Sequence, residues 1–152
     1  MKKSIVITED DKRAAISFAN INAKDHKNKG TQNRSIDKKI ENVFIGKLGE
    51  IAFSKLFDPP LEVDFSKGAD PGWDFEINGN KIDIKTIDEY WKKRVYINKN
   101  YMNADNYITM FYNKKSQKFI YDGIISRSNA VNNLKYDTKN KTYFIPRDAF
   151  EK

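Results

Sequence analysis

Two short runs of alternating apolar and polar residues, 73–77 and 80–85, flank the dipeptide Asn78-Gly79. Asn-Gly between such runs is the strongest short-range signal for a β-hairpin, because both residues tolerate the positive φ of a type I′ turn. Side chains alternate along a strand, so the apolar ones share one face of this hairpin: Phe75, Ile77, Ile82 and Ile84. The opposite face carries Asp74, Glu76, Lys81, Asp83 and Lys85.

Helical periodicity dominates the chain before the hairpin. Thr8 followed by three acidic residues predicts a helix start, and that helix is expected to run to about Asn22. A longer helix is predicted over residues 36–57, where one broad stripe is apolar: Ile40, Val43, Phe44, Leu48, Ile51, Ala52 and Leu56. Gly46 and Gly49 lower helix propensity, so we expect them to serve close packing of this helix against a sheet.

Strand periodicity dominates after the hairpin. β-rich runs occur at residues 95–97, 107–112, 118–125 and 143–145, and a further strand or extended segment is expected at 61–65. Ser126 is placed to cap a short helix. This order predicts one α/β (α+β) domain spanning residues 1–152, with a central mixed β-sheet flanked by helices and the hairpin near the centre of the sheet.

The composition narrows the functions that this domain can have. The 152 residues carry a formal net charge of +7, the sequence pI is about 9.4 and there is no cysteine. The lack of cysteine excludes disulfides and thiolate metal sites. The start of the chain shows neither a signal peptide nor a membrane span, so we expect a cytoplasmic protein without a membrane partner. The basic balance favours a polyanion such as nucleic acid, although Lys- and Asn-rich usage also reflects A/T-rich genomes.

Residues 24–35 are polar and basic and contain almost no large apolar side chain. We expect a loop here that is mobile in the free protein and contributes affinity for phosphates rather than chemistry. Its cations are Lys24, Lys27, Lys29 and Arg34. A solvated basic loop without a ligand explains the composition equally well.

A second basic group follows the hairpin, where Tyr90-Trp91 precedes three cations. Aromatic and cationic side chains together suit base stacking and phosphate contact. The candidate contacts are Lys92, Lys93 and Arg94. A half-buried strand edge with snorkelling cations is the alternative interpretation.

The predicted register of the hairpin places Asp74 directly across from Asp83, where two carboxylates repel each other. A divalent cation relieves such repulsion, and Mg²⁺ takes hard oxygen ligands from one or two protein carboxylates. Lys85, on the same face, adds a positive charge that could orient a water attacking phosphorus. Without further context, a solvated polar face with Glu76 and Lys81 as an ion pair accounts for the same pattern.

The context is the helix that precedes the hairpin, with the segment Gly-Lys-Leu-Gly-Glu-Ile-Ala at residues 46–52. A helical acid at Glu50, then Asp74, then Asp83 and Lys85 in the spacing Asp-x-Lys, resembles the PD-(D/E)XK nuclease superfamily. The resemblance covers about the middle third of the chain. One departure is that Trp73 stands where the family motif has proline.

The resemblance implies a restriction-endonuclease-like core and a Mg²⁺-dependent nuclease, with Mn²⁺ able to substitute. It implies metal ligation by Asp74, Asp83 and the backbone carbonyl of Ile84, with Glu50 directly or through water, and a catalytic role for Lys85. DNA is the preferred substrate because the family most often cuts DNA. An RNA-cleaving nuclease and a non-catalytic nucleic-acid-binding protein are the alternatives, and a homodimer is left open.

Overall fold

The structure is a computed structural model that describes residues 3–27, 33–57 and 72–152. Three α-helices occur in these ranges: α1 (Glu9–Lys27), α2 (Asn33–Phe57) and α3 (Arg127–Asn132). The eight strands are β1 (Ser4–Val6), β2 (Phe75–Ile77), β3 (Asn80–Ile87), β4 (Arg94–Ile97), β5 (Asn106–Asn113), β6 (Lys118–Ser126), β7 (Lys135–Asp137) and β8 (Thr142–Pro146). Short 3₁₀ helices occur at Lys99–Tyr101 and Arg147–Ala149. The predicted strand at 61–65 lies outside the described residues.

The strands form two sheets. The larger has the order β1-β6-β5-β3-β2, and it is mixed because β3 and β5 are parallel while the other pairs are antiparallel. The smaller sheet has the order β4-β8-β7 and is antiparallel. The crossover from β3 to β5 contains β4, so the chain joins the smaller sheet between two parallel strands of the larger one.

Each face of the larger sheet has its own apolar core. Helix α2 packs on the face that carries Ile82 and Ile84, together with Leu48, Ile51, Ala52 and Phe53 of the helix. On the other face, Ile87 and Tyr107 pack with α3 and with Val95, Ile97 and Ile145 of the smaller sheet. The prediction of a mixed α/β fold with a mixed sheet and flanking helices is therefore confirmed.

The hairpin forms as the sequence predicts. Asn78 and Gly79 have φ of 51° and 82°, and Glu76 pairs with Lys81 while Phe75 pairs with Ile82. Its position in the sheet differs from the prediction, because β2 is the edge strand among the described residues rather than a central one. Alternating residues encode which face of a strand is buried, but they do not encode which strand pairs on its other side.

The predicted basic loop is wrong at both ends. Helix α1 continues to Lys27 rather than ending near Asn22, so Lys24 lies in this helix, and Arg34 lies in the first turn of α2. A polar composition does not break a helix, and residues 24–27 include neither Gly nor Pro. Lys29 lies outside the described residues.

The two glycines of α2 differ in their surroundings. A Cβ built on Gly49 would lie 2.0 Å from Oγ1 of Thr86 on β3, whereas a Cβ on Gly46 would meet nothing within 4 Å. The prediction of close helix-to-sheet packing is therefore confirmed for Gly49 and wrong for Gly46. The contact fixes how near α2 lies to β3, and the next residue of the helix is Glu50.

We expect Gly49→Ala to destabilise the fold by about 1–3 kcal/mol, because the added methyl overpacks the contact with Thr86. Gly46→Ala is the matched control, and it should stabilise the fold by about 0.5–1 kcal/mol through helix propensity. Urea denaturation of both variants measures these effects. Adding Thr86→Ala should restore much of the loss, since Oγ1 of Thr86 has no hydrogen-bond partner among the described residues. Equal effects of the two Gly→Ala changes would contradict the close contact.

Arg147 joins the end of β8 to β6 and to the segment between β3 and β4. Its Nε and Nη2 atoms donate to the two carboxylate oxygens of Asp122 at 3.0 and 2.7 Å. Its Nη1 atom donates to the carbonyl oxygens of Tyr90 and Lys92 at 3.1 and 3.2 Å. Asp122 also accepts from the buried Thr109 hydroxyl. One guanidinium therefore holds three segments of the chain together.

We expect Asp122→Asn to lower the free energy of unfolding by about 2–3 kcal/mol at neutral pH, because it removes the partner of a largely buried cation. Burial raises the pKa of Asp122, but the hydrogen bonds and charge of Arg147 outweigh it and lower the pKa below its ordinary value. A lowered folded-state pKa contributes stability that is present above the unfolded pKa of about 4 and is lost as pH falls through the folded pKa. The difference between parent and variant in denaturant titrations should therefore shrink below about pH 4. A difference that is constant with pH would contradict this interpretation.

Candidate active site

Asp74 lies at the entrance to the hairpin, one residue before β2. Its backbone N–H donates to the carbonyl oxygen of Ile82 at 2.8 Å, and its Oδ2 atom accepts from the backbone N–H of Ile84 at 2.7 Å. Gly72 shapes the approach with φ of 93°, and a Cβ there would lie 3.3 Å from the carbonyl oxygen of Tyr101. The side chain of Asp74 therefore occupies the edge of β3 just beyond the last residue pair of the hairpin ladder.

Asp83 and Lys85 lie on β3, on the face opposite to Ile82 and Ile84. Nζ of Lys85 is 2.9 Å from Oδ2 of Asp83, and the side chains are 30% and 16% exposed. This ion pair is only partly screened by solvent. The hairpin thus brings an acid and a base of β3 to the strand edge that Asp74 occupies.

Glu50 reaches the same place from α2. Its carboxylate lies within hydrogen-bonding reach of the Asp74 side chain, and its Oε2 atom is also 2.9 Å from Nζ of Lys47. Glu50 therefore contacts both Lys47 and Asp74. The close contact between Gly49 and Thr86 of β3 explains how Glu50 reaches Asp74, because Glu50 is the next residue of α2 and is therefore held near β3.

Three carboxyl groups therefore meet at Asp74. Its pKa is raised well above the ordinary value, first by burial and then by the negative charges and hydrogen bonds of Glu50 and Asp83. Because the three carboxyl groups repel one another when they are ionised, a neighbouring cation stabilises the ionised group more than bulk water does. The predicted cross-strand pairing of Asp74 with Asp83 does not form, because the N–H of Asp74 bonds to the carbonyl oxygen of Ile82 and the paired residues end at Phe75 and Ile82. The two side chains are nevertheless neighbours.

The donor set has the chemistry of a site for a hard cation. It offers carboxylate oxygens, and the carbonyl of Ile84 points to the same side of β3 as the N–H that binds Asp74. In the structure, Lys47 and Lys85 hold two of the acids in ion pairs, and the described residues contain no group of three or more His, Cys, Asp or Glu side chains arranged as a metal site. Ligation by these acids therefore requires that the lysines release them.

The second basic group is partly engaged within the protein. Lys92 pairs with Asp88, and Arg94 pairs with Asp137 at 3.2 Å while lying 4.4 Å from the centre of the Phe144 ring. Arg94 therefore has an internal partner in the smaller sheet, while its side chain is 52% exposed. Of the remaining predicted phosphate contacts, Lys24, Lys27 and Arg34 belong to helix ends whose side-chain positions are not described.

Tyr107 is a neighbour of the site that the sequence did not reveal. It is fully buried on β5, in register with Asp83, and its pKa is raised to about 12 by burial and by the charge of Asp83. The signal that identifies it is the parallel pairing of β3 with β5. That pairing joins strands separated by a crossover, so it is not visible in local sequence patterns.

No family model matches the sequence, and no curated protein matches it significantly. In the described part of the chain, no helix is long and apolar enough to cross a bilayer.

Proposed function

We propose that this protein is a divalent-metal-dependent nuclease that hydrolyses phosphodiester bonds in nucleic acid, on a restriction-endonuclease-like core. The observation that carries the proposal is the contact of the Asp74 carboxyl with both Glu50 and Asp83, beside the Ile84 backbone and close to Lys85. The order of these residues in the sequence resembles the PD-(D/E)XK motif, and their side chains converge in the fold.

The ligands of the ion would be Asp74, Asp83 and the carbonyl of Ile84, with Glu50 directly or through water. When bound, Mg²⁺, or Mn²⁺ in its place, would supply Lewis-acid polarisation of the scissile phosphate and a lower pKa for a bound water. Asp74 anchors the arrangement because its second contact, to the Ile84 N–H, fixes the carboxyl against the edge of β3.

Lys85 is the group that orients the attacking water or stabilises the negative charge that develops at phosphorus. Its ammonium already lies 2.9 Å from Asp83, so release from that carboxylate leaves it beside the same acid with a free set of donors. Lys47 is in the corresponding position beside Glu50. Each lysine therefore neutralises one acid when no metal ion is bound.

A plain binding protein has no use for three carboxyls in contact near a polyanion, because they repel phosphate. This cost favours the nuclease over the non-catalytic alternative. Within the nuclease proposal DNA is the substrate that we infer and RNA is the alternative. The absence of cysteine fits a cytoplasmic setting.

Cleavage assays on duplex DNA, branched DNA and single-stranded RNA in parallel test the proposal. We expect Mg²⁺-dependent cleavage of at least one DNA substrate and none with excess EDTA. Cleavage of RNA alone would replace DNA by RNA on the same site. Binding to all three substrates without cleavage in Mg²⁺ or Mn²⁺ would favour the non-catalytic alternative.

A further inference from the structure

The segment between β3 and β4 presents two large aromatic side chains to solvent. Tyr90 is 80% exposed, the highest value among the large hydrophobic side chains that the structure describes, and Trp91 next to it is 61% exposed. Exposing two adjacent rings of this size costs hydrophobic stabilisation. Such a pair indicates a binding surface.

This segment is held by the fold at several points. Arg147 donates to the carbonyl oxygens of Tyr90 and Lys92, and Asp122 holds the guanidinium from its other side. The N–H of Lys92 donates to the carbonyl of Glu89 at 3.1 Å, which closes a tight turn. The backbone that carries the rings is therefore fixed before any partner arrives, and binding to them costs little ordering of the chain.

Cations surround the turn. Lys92 and Lys93 follow the two rings directly, and the turn between β5 and β6 adds Lys114 and Lys115, of which Lys93 and Lys115 are exposed cations without an acid of this segment as partner. The two acids of the segment are already engaged, since Asp88 pairs with Lys92 and Lys114, and Glu89 pairs with Lys114. Exposed rings among cations match the chemistry of a nucleic-acid strand, which offers flat bases along a chain of phosphates.

The turn is also close to the candidate active site along the chain. Strand β3 carries Asp83 and Lys85 and ends at Ile87, three residues before Tyr90. Five residues span at most about 18 Å, and one strand of a duplex rises 3.4 Å per nucleotide. A strand whose phosphate lies at Lys85 therefore reaches the rings within about five nucleotides.

We propose that Tyr90 and Trp91 stack on unpaired bases next to the scissile bond, so that the substrate has single-stranded character, as in a fork, a flap or a single strand. This inference rests on the proposed function and names its substrate class. Stacking on a ring requires an open base face, which an intact duplex hides between neighbouring base pairs. The rings thus recognise unpaired nucleotides of any sequence.

Binding in EDTA separates this role from cleavage. The parent and Tyr90→Ala/Trp91→Ala are titrated by fluorescence anisotropy with a single-stranded oligonucleotide, a forked duplex and a blunt duplex of equal length. We expect the double variant to bind the single strand and the fork at least about 25-fold more weakly, since each stacked ring contributes roughly fivefold or more. Blunt-duplex affinity should change by less than about twofold. Tyr136→Ala is the matched control, because Tyr136 is 51% exposed and lies two strands away from β4.

Tryptophan fluorescence gives an independent measurement of the contact. The chain has two tryptophans, Trp73 and Trp91. Single-stranded DNA should quench the emission of the parent, and Trp91→Phe, which keeps a ring at this position, should remove most of the quenching while retaining most of the affinity. Quenching that is unchanged in Trp91→Phe would overturn the assignment of Trp91 as a stacking residue.

The remaining outcomes are distinct. Equal weakening on all three DNAs, or no weakening, overturns the inference. So does loss of self-association in analytical ultracentrifugation with DNA binding unchanged, since the rings would then form an interface between copies of this chain. If Mg²⁺-dependent cleavage prefers the blunt duplex and proceeds equally fast in the double variant, the proposed nuclease activity stands and the stacking role is overturned. Selective single-strand binding without cleavage supports the stacking role and overturns the nuclease.

Discussion

We expect cleavage to fall by about 10²- to 10⁴-fold in each of Asp74→Asn, Asp83→Asn and Lys85→Ala, measured as single-turnover rates in Mg²⁺. The first two changes remove an anionic oxygen that we propose as a metal ligand, at the point where the carboxyls meet. The third removes the ammonium that lies beside Asp83.

Matched controls change exposed charges outside the carboxyl cluster. Glu76→Gln changes an exposed carboxylate of β2, and Lys139→Ala removes an exposed lysine far along the chain, and neither should alter the rate by more than about twofold. Glu50→Gln should be milder than the Asp changes, because Glu50 acts from the margin of the site and is shared with Lys47. Rates that fall equally in the controls and in the site variants would contradict the assignment.

The second large effect concerns stability without and with the ion. Asp74→Asn should raise the melting temperature of the metal-free protein by several degrees. The Asn oxygen can still accept from the Ile84 N–H, while its amide donates to Glu50 or Asp83 in place of repulsion. In the parent, Mg²⁺ or Mn²⁺ should stabilise the fold by about 1–3 kcal/mol at 10–100 times its dissociation constant. The variant should lose most of that stabilisation.

The pH dependence of this difference has a definite sign. The folded-state pKa of Asp74 is raised, so its protonated form contributes stability that is fully present below the unfolded pKa and is lost as pH rises through the folded pKa. The advantage of Asp74→Asn in metal-free protein should therefore grow with pH from about pH 4 upward. NaCl at matched ionic strength is the control for the ion. A Mg²⁺ effect equal to that of NaCl, or one that is unchanged in Asp74→Asn, would contradict metal binding at these acids.

The local features of this fold could be read from the sequence. The turn at Asn78-Gly79 and the register of β2 with β3 follow from φ preferences and from alternation, which act within a few residues. The length of α2 follows from its apolar stripe. The closeness of Gly49 to Thr86 was predicted as a helix-to-sheet contact, but the partner residue was not, because it depends on how α2 lies across β3.

Features that depend on distant parts of the chain escaped prediction. The parallel pairing of β3 with β5 puts Tyr107 beside Asp83 through a crossover, and no local pattern encodes it. The pairing of Arg94 with Asp137 on another strand was not predicted. Lys24 was expected in a loop, yet helix α1 extends beyond it, since polar residues are compatible with both states and only their context decides.

Cleavage of one labelled forked DNA by the parent and by Asp83→Asn, each in Mg²⁺ and in EDTA, is the most direct measurement. If the carboxyl cluster at Asp74 is a metal-dependent catalyst, product should form only with the parent in Mg²⁺. Asp83→Asn should still bind the DNA in EDTA at least as tightly as the parent, because a carboxylate that faces phosphate has been neutralised. Cleavage that persists in EDTA, or that survives Asp83→Asn, would show that these residues are not the catalyst.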